Sequence, residues 1–130
     1  MDSISRTWLP LHAERVLLRP LAEGDLDQLY ELESDEWVKQ YIEGGHVTEE
    51  KSSWLVKALA LCSCDHFFAI ARTSDNSFIG RATCGHYTPS LESTDREIQV
   101  VLARKAIGDK LGLESCQLVI RALFGPARVL

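Results

Sequence analysis

The chain has no apolar run near the ~18 residues a membrane-crossing helix needs, and its start lacks the basic-then-apolar layout of an export signal. A cytoplasmic protein with no membrane partner is the expectation. Positive charge is also in deficit, with 14 Lys and Arg against 19 Asp and Glu and a net charge of −5. A nucleic-acid binder needs a basic face, so no nucleic-acid partner is expected. The cysteines (Cys62, Cys64, Cys84, Cys116) lack the spacing of a secreted disulfide framework. Cys62-Ser63-Cys64-Asp65-His66 has no second ligand pair to complete a tetrahedral zinc site, so no metal is expected. Internal repeats, low-complexity tracts and interdomain linkers are missing too. What remains, at 130 residues with 45% hydrophobic and 25% charged, is one globular domain over residues 1–130, large enough to bury a core.

Two chemistries fall short on their motifs. Gly80-Arg81-Ala82-Thr83-Cys84-Gly85 has the glycine spacing of a P-loop, but His86-Tyr87 replace the required Lys-Ser/Thr and the segment reads as a strand. Cys84 and His86 share a strand face, yet no third group orients them as a nucleophile pair.

Hydrophobic periodicity orders the rest. Arg15–Pro20 is a short strand stopped by proline. Leu26, Leu29, Tyr30 and Glu33 follow at helical spacing with Asp25 as N-cap, and Trp37, Val38, Tyr41 and Ile42 extend the apolar face to Gly44-Gly45. A second helix is expected from Thr48, with Lys51 (through its stem), Leu55, Ala58, Leu59 and Cys62 on its face. His66–Arg72 and Phe78–Tyr87 form a hairpin about the turn at residues 74–77, and Pro89–Thr94 is a polar loop. Asp95–Ala103 is a further strand. Leu111–Phe124 is a helix with Leu111, Ser115, Leu118, Val119 and Ala122 on one side, ended by Gly125-Pro126. This order predicts an α+β fold, helices flanking a mostly antiparallel sheet.

The segment from Glu97 to Arg121 runs from a β-rich stretch through a basic, glycine-bearing turn into a helix. A helix N-terminus offers unpaired N–H groups and partial positive charge, and glycine lets a ligand approach the backbone. Arg104, Lys105 and Lys110 outnumber the one acid of the turn, Asp109. The reading is a diphosphate-type anion site at a strand-to-helix junction; an ordinary connection with turn glycines would be written with the same letters.

Lys105-Ala106-Ile107-Gly108-Asp109-Lys110 resembles the Q/R-x-x-G-x-G/A acetyl-CoA signature of GCN5-related N-acetyltransferases (GNATs), closest to the branch that acetylates N-terminal amines of ribosomal proteins. Glu14–Leu21 is similar to the family's opening strand, with Asp25 in its usual acidic position, and Phe68–Ala71 with Phe78-Ile79-Gly80 is similar to its central hairpin. The resemblance spans Glu14 to Phe124. It implies a GNAT-like mixed, mostly antiparallel sheet flanked by helices, without the usual C-terminal strands and helix. Pro126–Leu130 then either begins a fifth strand or is a remnant of the following helix.

The resemblance further implies acetyl-CoA as co-substrate. Val101 and Leu102 would line its pantetheine arm. The amides of Ile107, Gly108, Asp109, Lys110, Leu111 and Gly112 would wrap the diphosphate, with Arg104, Lys105 or Lys110 adding charge-assisted contacts or remaining solvated. Glu97 matches a position where relatives often place an acid that takes the proton from the amine; a solvated or salt-bridged strand glutamate is the plainer reading. Trp37 and Tyr41, with Trp54, either line an acceptor pocket or belong to the core. The chain departs from the pattern at Lys110, where the signature has a small residue, and at its short C-terminus. An open strand edge there implies a homo-oligomer, either a dimer or a strand-exchanged assembly. The expected activity is acetyl transfer to a primary amine, a protein N-terminus or a small amine. The second reading is a truncated or degenerate domain that binds CoA or a protein partner without turnover.

Overall fold

Alternating and β-branched or aromatic segments become strands, and segments with a 3.6-residue apolar repeat become helices. The computed structural model describes residues 9–39, 47, 49–64, 66–86, 96–107 and 110–124, with side chains for all of these but 39, 85, 86, 96, 97 and 124. The strands are β1 (Leu11–His12), β2 (Val16–Pro20), β3 (Phe67–Arg72), β4 (Phe78–His86) and β5 (Arg96–Leu102); the helices are α1 (Leu26–Ser34), α2 (Glu36–Lys39), α3 (Lys51–Ala58) and α4 (Leu111–Phe124). The sheet order is β1-β2-β3-β4-β5 and every pairing is antiparallel, with Leu18 opposite Ile70, Ile70 opposite Gly80 and Gly80 opposite Leu102.

The sheet buries both faces. On one, Val16, Leu18, Phe68, Ile70, Ile79, Ala82 and Leu102 pack against Leu111, Leu118, Val119 and Ala122 of α4. On the other, Ala69, Phe78 and Val101 pack against Leu26, Leu29 and Leu32 of α1, Val38 of α2 and Ala58 of α3. Each large apolar side chain so buried contributes about 1.5–3 kcal/mol relative to exposure. The expected apolar side of α4 is buried at all five positions, including Ser115, whose hydroxyl donates to the Leu111 carbonyl at 2.7 Å. Glu114 on the neighbouring side anchors α4 to the start of β2: its carboxylate accepts the Arg15 and Val16 amides at 2.8 and 3.0 Å and Arg15 Nε at 3.2 Å.

Several local expectations differ. Strand β1 is too short for alternation to be read from sequence. Asp25 does not cap α1 through its side chain; the carboxylate instead takes both Nη groups of Arg19, at 2.6 and 3.0 Å, and the Ala22 amide at 2.8 Å. The first apolar face breaks at Asp35, which is extended and whose carboxylate accepts the Trp37 amide at 2.9 Å to start α2. The helix expected from Thr48 starts at Lys51 and tightens after Ala58 into a 3-10 turn, Leu59–Ser63. Three residues per turn rotate Leu59 off the buried face, and it is 47% exposed. Thr48, Gly44-Gly45, Tyr87, the 89–94 loop, Asp95 and residues 125–130 lie outside the described residues.

Candidate functional site

β5 is the last strand of the described sheet, so one edge faces β4 and the other has no strand neighbour among the described residues. The ladder closes where the Ala103 amide donates to the Ile79 carbonyl at 2.7 Å. A 3-10 turn (Arg104–Ala106) follows, its Ala106 amide bonded to the Ala103 carbonyl at 2.8 Å and the Ile107 amide to the Arg104 carbonyl at 3.3 Å. Lys110 then adopts a φ of 61°, and α4 begins, with Glu114 N–H donating to the Lys110 carbonyl at 3.3 Å. The amides of Leu111, Gly112 and Leu113 therefore precede the helical ladder, at the positive end of the macrodipole.

Between that helix start and the outer edge of β5 lies a cavity of about 370 Å³. Val100, Val101 and Leu102 form its floor, Trp37 and Val38 one wall, and Ile107, Lys110, Leu111, Gly112, Leu113 and Cys116 the other. The lining is largely apolar apart from the Lys110 side chain and the Cys116 thiol. Burial pushes the Cys116 thiol above its ordinary pKa.

The cations of the turn do not converge. Arg104 and Lys105 open on a separate cleft of about 320 Å³ that also contains Glu31, Asp35 and Phe78, on the α1 side. Arg104 Nη2 bonds Asp35 Oδ1 at 2.7 Å and its guanidinium lies 5.3 Å from the Trp37 ring centroid. Burial pushes the Asp35 carboxyl up, but the Trp37 amide and Arg104 outweigh it and leave the pKa below the ordinary value. The 3-10 turn separates residues that are adjacent in sequence, so Lys110 alone of the three basic side chains lines the larger cavity.

A polar cluster lies under α1. Arg81 of β4, 5% exposed, donates through Nε to Glu33 Oε1 and through Nη1 to Gln99 Oε1 of β5 at 2.8 Å; its guanidinium lies 5.6 Å from the Phe67 ring centroid. None of the three is given a functional role by the sequence reading: Glu33 is placed only by its helical spacing and Arg81 only within the rejected P-loop segment. The available signal was Arg81, a cation inside a strand whose neighbours Ile79, Ala82 and Cys84 are buried.

Residues 15–129 match the model of the acetyltransferase (GNAT) domain. The chain belongs to the GNAT family. Among solved structures it is similar to a GNAT-family acetyltransferase from Bacillus anthracis, at 23% identity and a TM-score of 0.68 over 88% of this chain and 65% of that one. It is also similar to a spermidine N-acetyltransferase chimera from Vibrio cholerae and hSSAT, at 14% identity and a TM-score of 0.65 over 85% of this chain and 64% of that one. A ribosomal-protein-alanine N-acetyltransferase from Brucella melitensis matches at 22% identity and a TM-score of 0.54, over 83% of this chain and 67% of that one. These likenesses establish the GNAT fold; the chain spans less than two thirds of the length of the first two. No curated protein matches it.

Val101, Leu102, Ile107, Lys110, Leu111 and Gly112 meet around the larger cavity, and Trp37 walls it. Gly108, Asp109 and Tyr41 lie outside the described residues. Glu97 is paired through its backbone with Gly85 in the β4–β5 ladder, and its side chain lies outside the description. Trp54 packs edge-on against Tyr30, ring centroids 5.3 Å apart, and joins the core under α1 rather than the larger cavity. Among the described residues no cluster of three or more His, Cys, Asp or Glu side chains is arranged to hold a metal, and no helix is long and apolar enough to cross a membrane.

Proposed function

We propose that the chain is a cytoplasmic, acetyl-CoA-dependent N-acetyltransferase that acts on a primary amine of a small molecule or a peptide by direct attack on the thioester. The observation that carries this reading is the apolar cavity beside Val101, which ends on the amides of Leu111, Gly112 and Leu113. An apolar wall suits a pantetheine arm, outward N–H and C=O groups of a strand edge suit its amides, and a helix start suits a diphosphate. In this reading Val101 and Leu102 hold the arm, and the main chain from Ile107 through Gly108, Asp109, Lys110 and Leu111 to Gly112 takes the diphosphate. Lys110 adds charge from within the cavity, and Arg104 and Lys105 from the far side of the turn. Acetyl-CoA, when bound, supplies an activated acetyl group. The chain's own task is to hold a neutral amine against it. A primary ammonium has a pKa of about 10.4, so it must first lose a proton, and Glu97 is the proposed base. Trp37 and Tyr41 form the acceptor side.

Calorimetric titration with acetyl-CoA tests binding, and free-thiol release with a panel of primary amines tests turnover. The expected result is binding with thiol release that Glu97→Gln lowers by about a hundredfold. Absence of acetyl-CoA binding would end the reading.

One observation favours the second reading, a degenerate domain that binds CoA or a protein partner without turnover. Lys110 stands where the GNAT signature has a small residue, and its φ of 61° is a conformation that glycine adopts without cost. Binding without thiol release would select it. The β5 edge that has no strand neighbour among the described residues also supports a homo-oligomer formed by strand pairing; a stable monomer in sedimentation at micromolar concentration would refute that part.

A further inference from the structure

The cluster under α1 holds donors and an acceptor that the described residues leave unused. Arg81 carries only N–H groups, so the atom of Gln99 facing its Nη1 at 2.8 Å must be the amide oxygen. That bond fixes the orientation of the amide and turns the two N–H donors of Gln99 Nε2 away from Arg81. Among the described residues they meet no protein acceptor, nor does Arg81 Nη2, and the second oxygen of Glu33 has no donor.

Position gives these groups a use. Gln99 is two residues from Val101 and shares its sheet face, and Val101 floors the larger cavity. α4 covers the opposite face. An acceptor reaching the edge of β5 from the α1–α2 side therefore passes Gln99.

We infer that Gln99 is a specificity-determining residue that donates an amide N–H to a carbonyl oxygen next to the acceptor's amine, with Arg81 and Glu33 as positioning residues. The substrate class is then an α-amino carbonyl compound, such as a peptide N-terminus, rather than a polyamine. This rests on the acetyltransferase reading. A bare alkylamine would desolvate the Gln99 donors without replacing their water partners, whereas a carbonyl restores the bond. The Glu33 carboxylate offsets the Arg81 charge, so the site presents directed donors with little net charge to repel a cationic amine.

The test compares L-alaninamide with sec-butylamine, which has a similar outline without the carbonyl. The two amines differ in basicity, so each variant's effect is read as a ratio to wild type for the same amine. Gln99→Met removes the donors; Gln99→Glu removes them while leaving an oxygen for Arg81, which guards against a folding artefact. Both should lower kcat/KM for alaninamide about tenfold, mainly through KM, and leave sec-butylamine within about twofold of wild type. Acetyl-CoA affinity by calorimetry should be unchanged. An equal loss for both amines, no loss for either, or no turnover of either by a wild-type protein that binds acetyl-CoA overturns the inference. A wild-type protein that fails to bind acetyl-CoA removes the acetyltransferase reading itself, and the inference with it.

Discussion

The two faces of the sheet are built to different rules. The α4 face is apolar: among the described residues its buried members are aliphatic or aromatic apart from Cys84, and the one buried hydroxyl, Ser115, donates within its own helix. The α1–α3 face mixes Leu29, Leu32 and Val38 with a buried guanidinium, a carboxylate and an amide. Apolar packing alone would serve stability on either face, and burying charge is at best neutral for it. The polar cluster on one face only, beside the strand edge that lines the larger cavity, is what a chemical role would require. The contrast can be broken at its seam, on the polar face, at the anchor of α4 and at the turn that joins the faces.

The largest effect belongs to the seam. Gly80 stands opposite Leu102, and a Cβ there would collide with the Val101 carbonyl oxygen and sit 2.9 Å from Leu102 Cα. Both obstacles are backbone, so β4 and β5 must part. Gly80→Ala should cost about 3 kcal/mol or more in denaturant unfolding. A loss below about 1 kcal/mol would mean that the two strands are not locked together where the cavity begins.

The polar face yields a sharper contrast. Glu33→Ala leaves the Arg81 charge buried and unbalanced, with an expected loss of about 3 kcal/mol. Glu33→Leu combined with Arg81→Met replaces the pair with apolar groups of similar size and should stay within about 1 kcal/mol of wild type. If the double variant is as unstable as the single one, the cluster is a structural necessity and its asymmetry says nothing about function.

This division also decides what could be read in the sequence. The α4 face was legible because Leu111, Ser115, Leu118, Val119 and Ala122 repeat at helical spacing over a full helix, and the β3–β4 hairpin because Asp75-Asn76 mark its turn. Asn76 indeed takes a φ of 61°. The Glu33–Arg81–Gln99 cluster joins residues up to 66 positions apart, and no local period links them. Arg104 and Lys105 were grouped with Lys110 by adjacency, and a 3-10 turn sends them into another cleft. Asp25 looked like a cap because capping is local, whereas its partner Arg19 lies six residues back, across the turn that joins β2 to α1. Patterns that repeat along the chain were visible; pairings made by the fold were not.

At the anchor of α4, pH supplies the probe. Burial pushes the Glu114 carboxyl up, but hydrogen bonds from the Arg15 amide, its guanidinium and the Val16 amide outweigh it, so the folded pKa lies below the ordinary 4.5. A depressed carboxylate pKa means that the unfolded chain binds the proton more readily. The stabilisation is therefore complete above about pH 4.5 and drains as pH falls through the folded value. Glu114→Gln should cost about 1–2 kcal/mol at neutral pH. That gap to wild type should narrow as the buffer is taken below pH 4.5. Asp35 and Asp75, also depressed, titrate equally in both proteins and cancel in the difference. A gap that stays constant down to low pH would show that the carboxylate's charge is not what ties α4 to β2.

The smallest effect, and the one most informative about turnover, is at Lys110. A lysine at φ 61° bears a steric cost of about 1 kcal/mol between its Cβ and the backbone, which glycine does not. Lys110→Gly should therefore raise stability by up to about 1 kcal/mol, less the extra entropy of a glycine in the unfolded chain. Its effect on acetyl-CoA then separates two roles. If the side chain crowds the helix start, the variant binds more tightly despite losing a cation from the cavity. If the ammonium itself contacts a phosphate, the variant binds more weakly, and raising the salt concentration weakens wild type more than the variant. The first result makes Lys110 a fault in an otherwise intact anion site; the second makes it a replacement for what the small residue of the signature provides through the backbone.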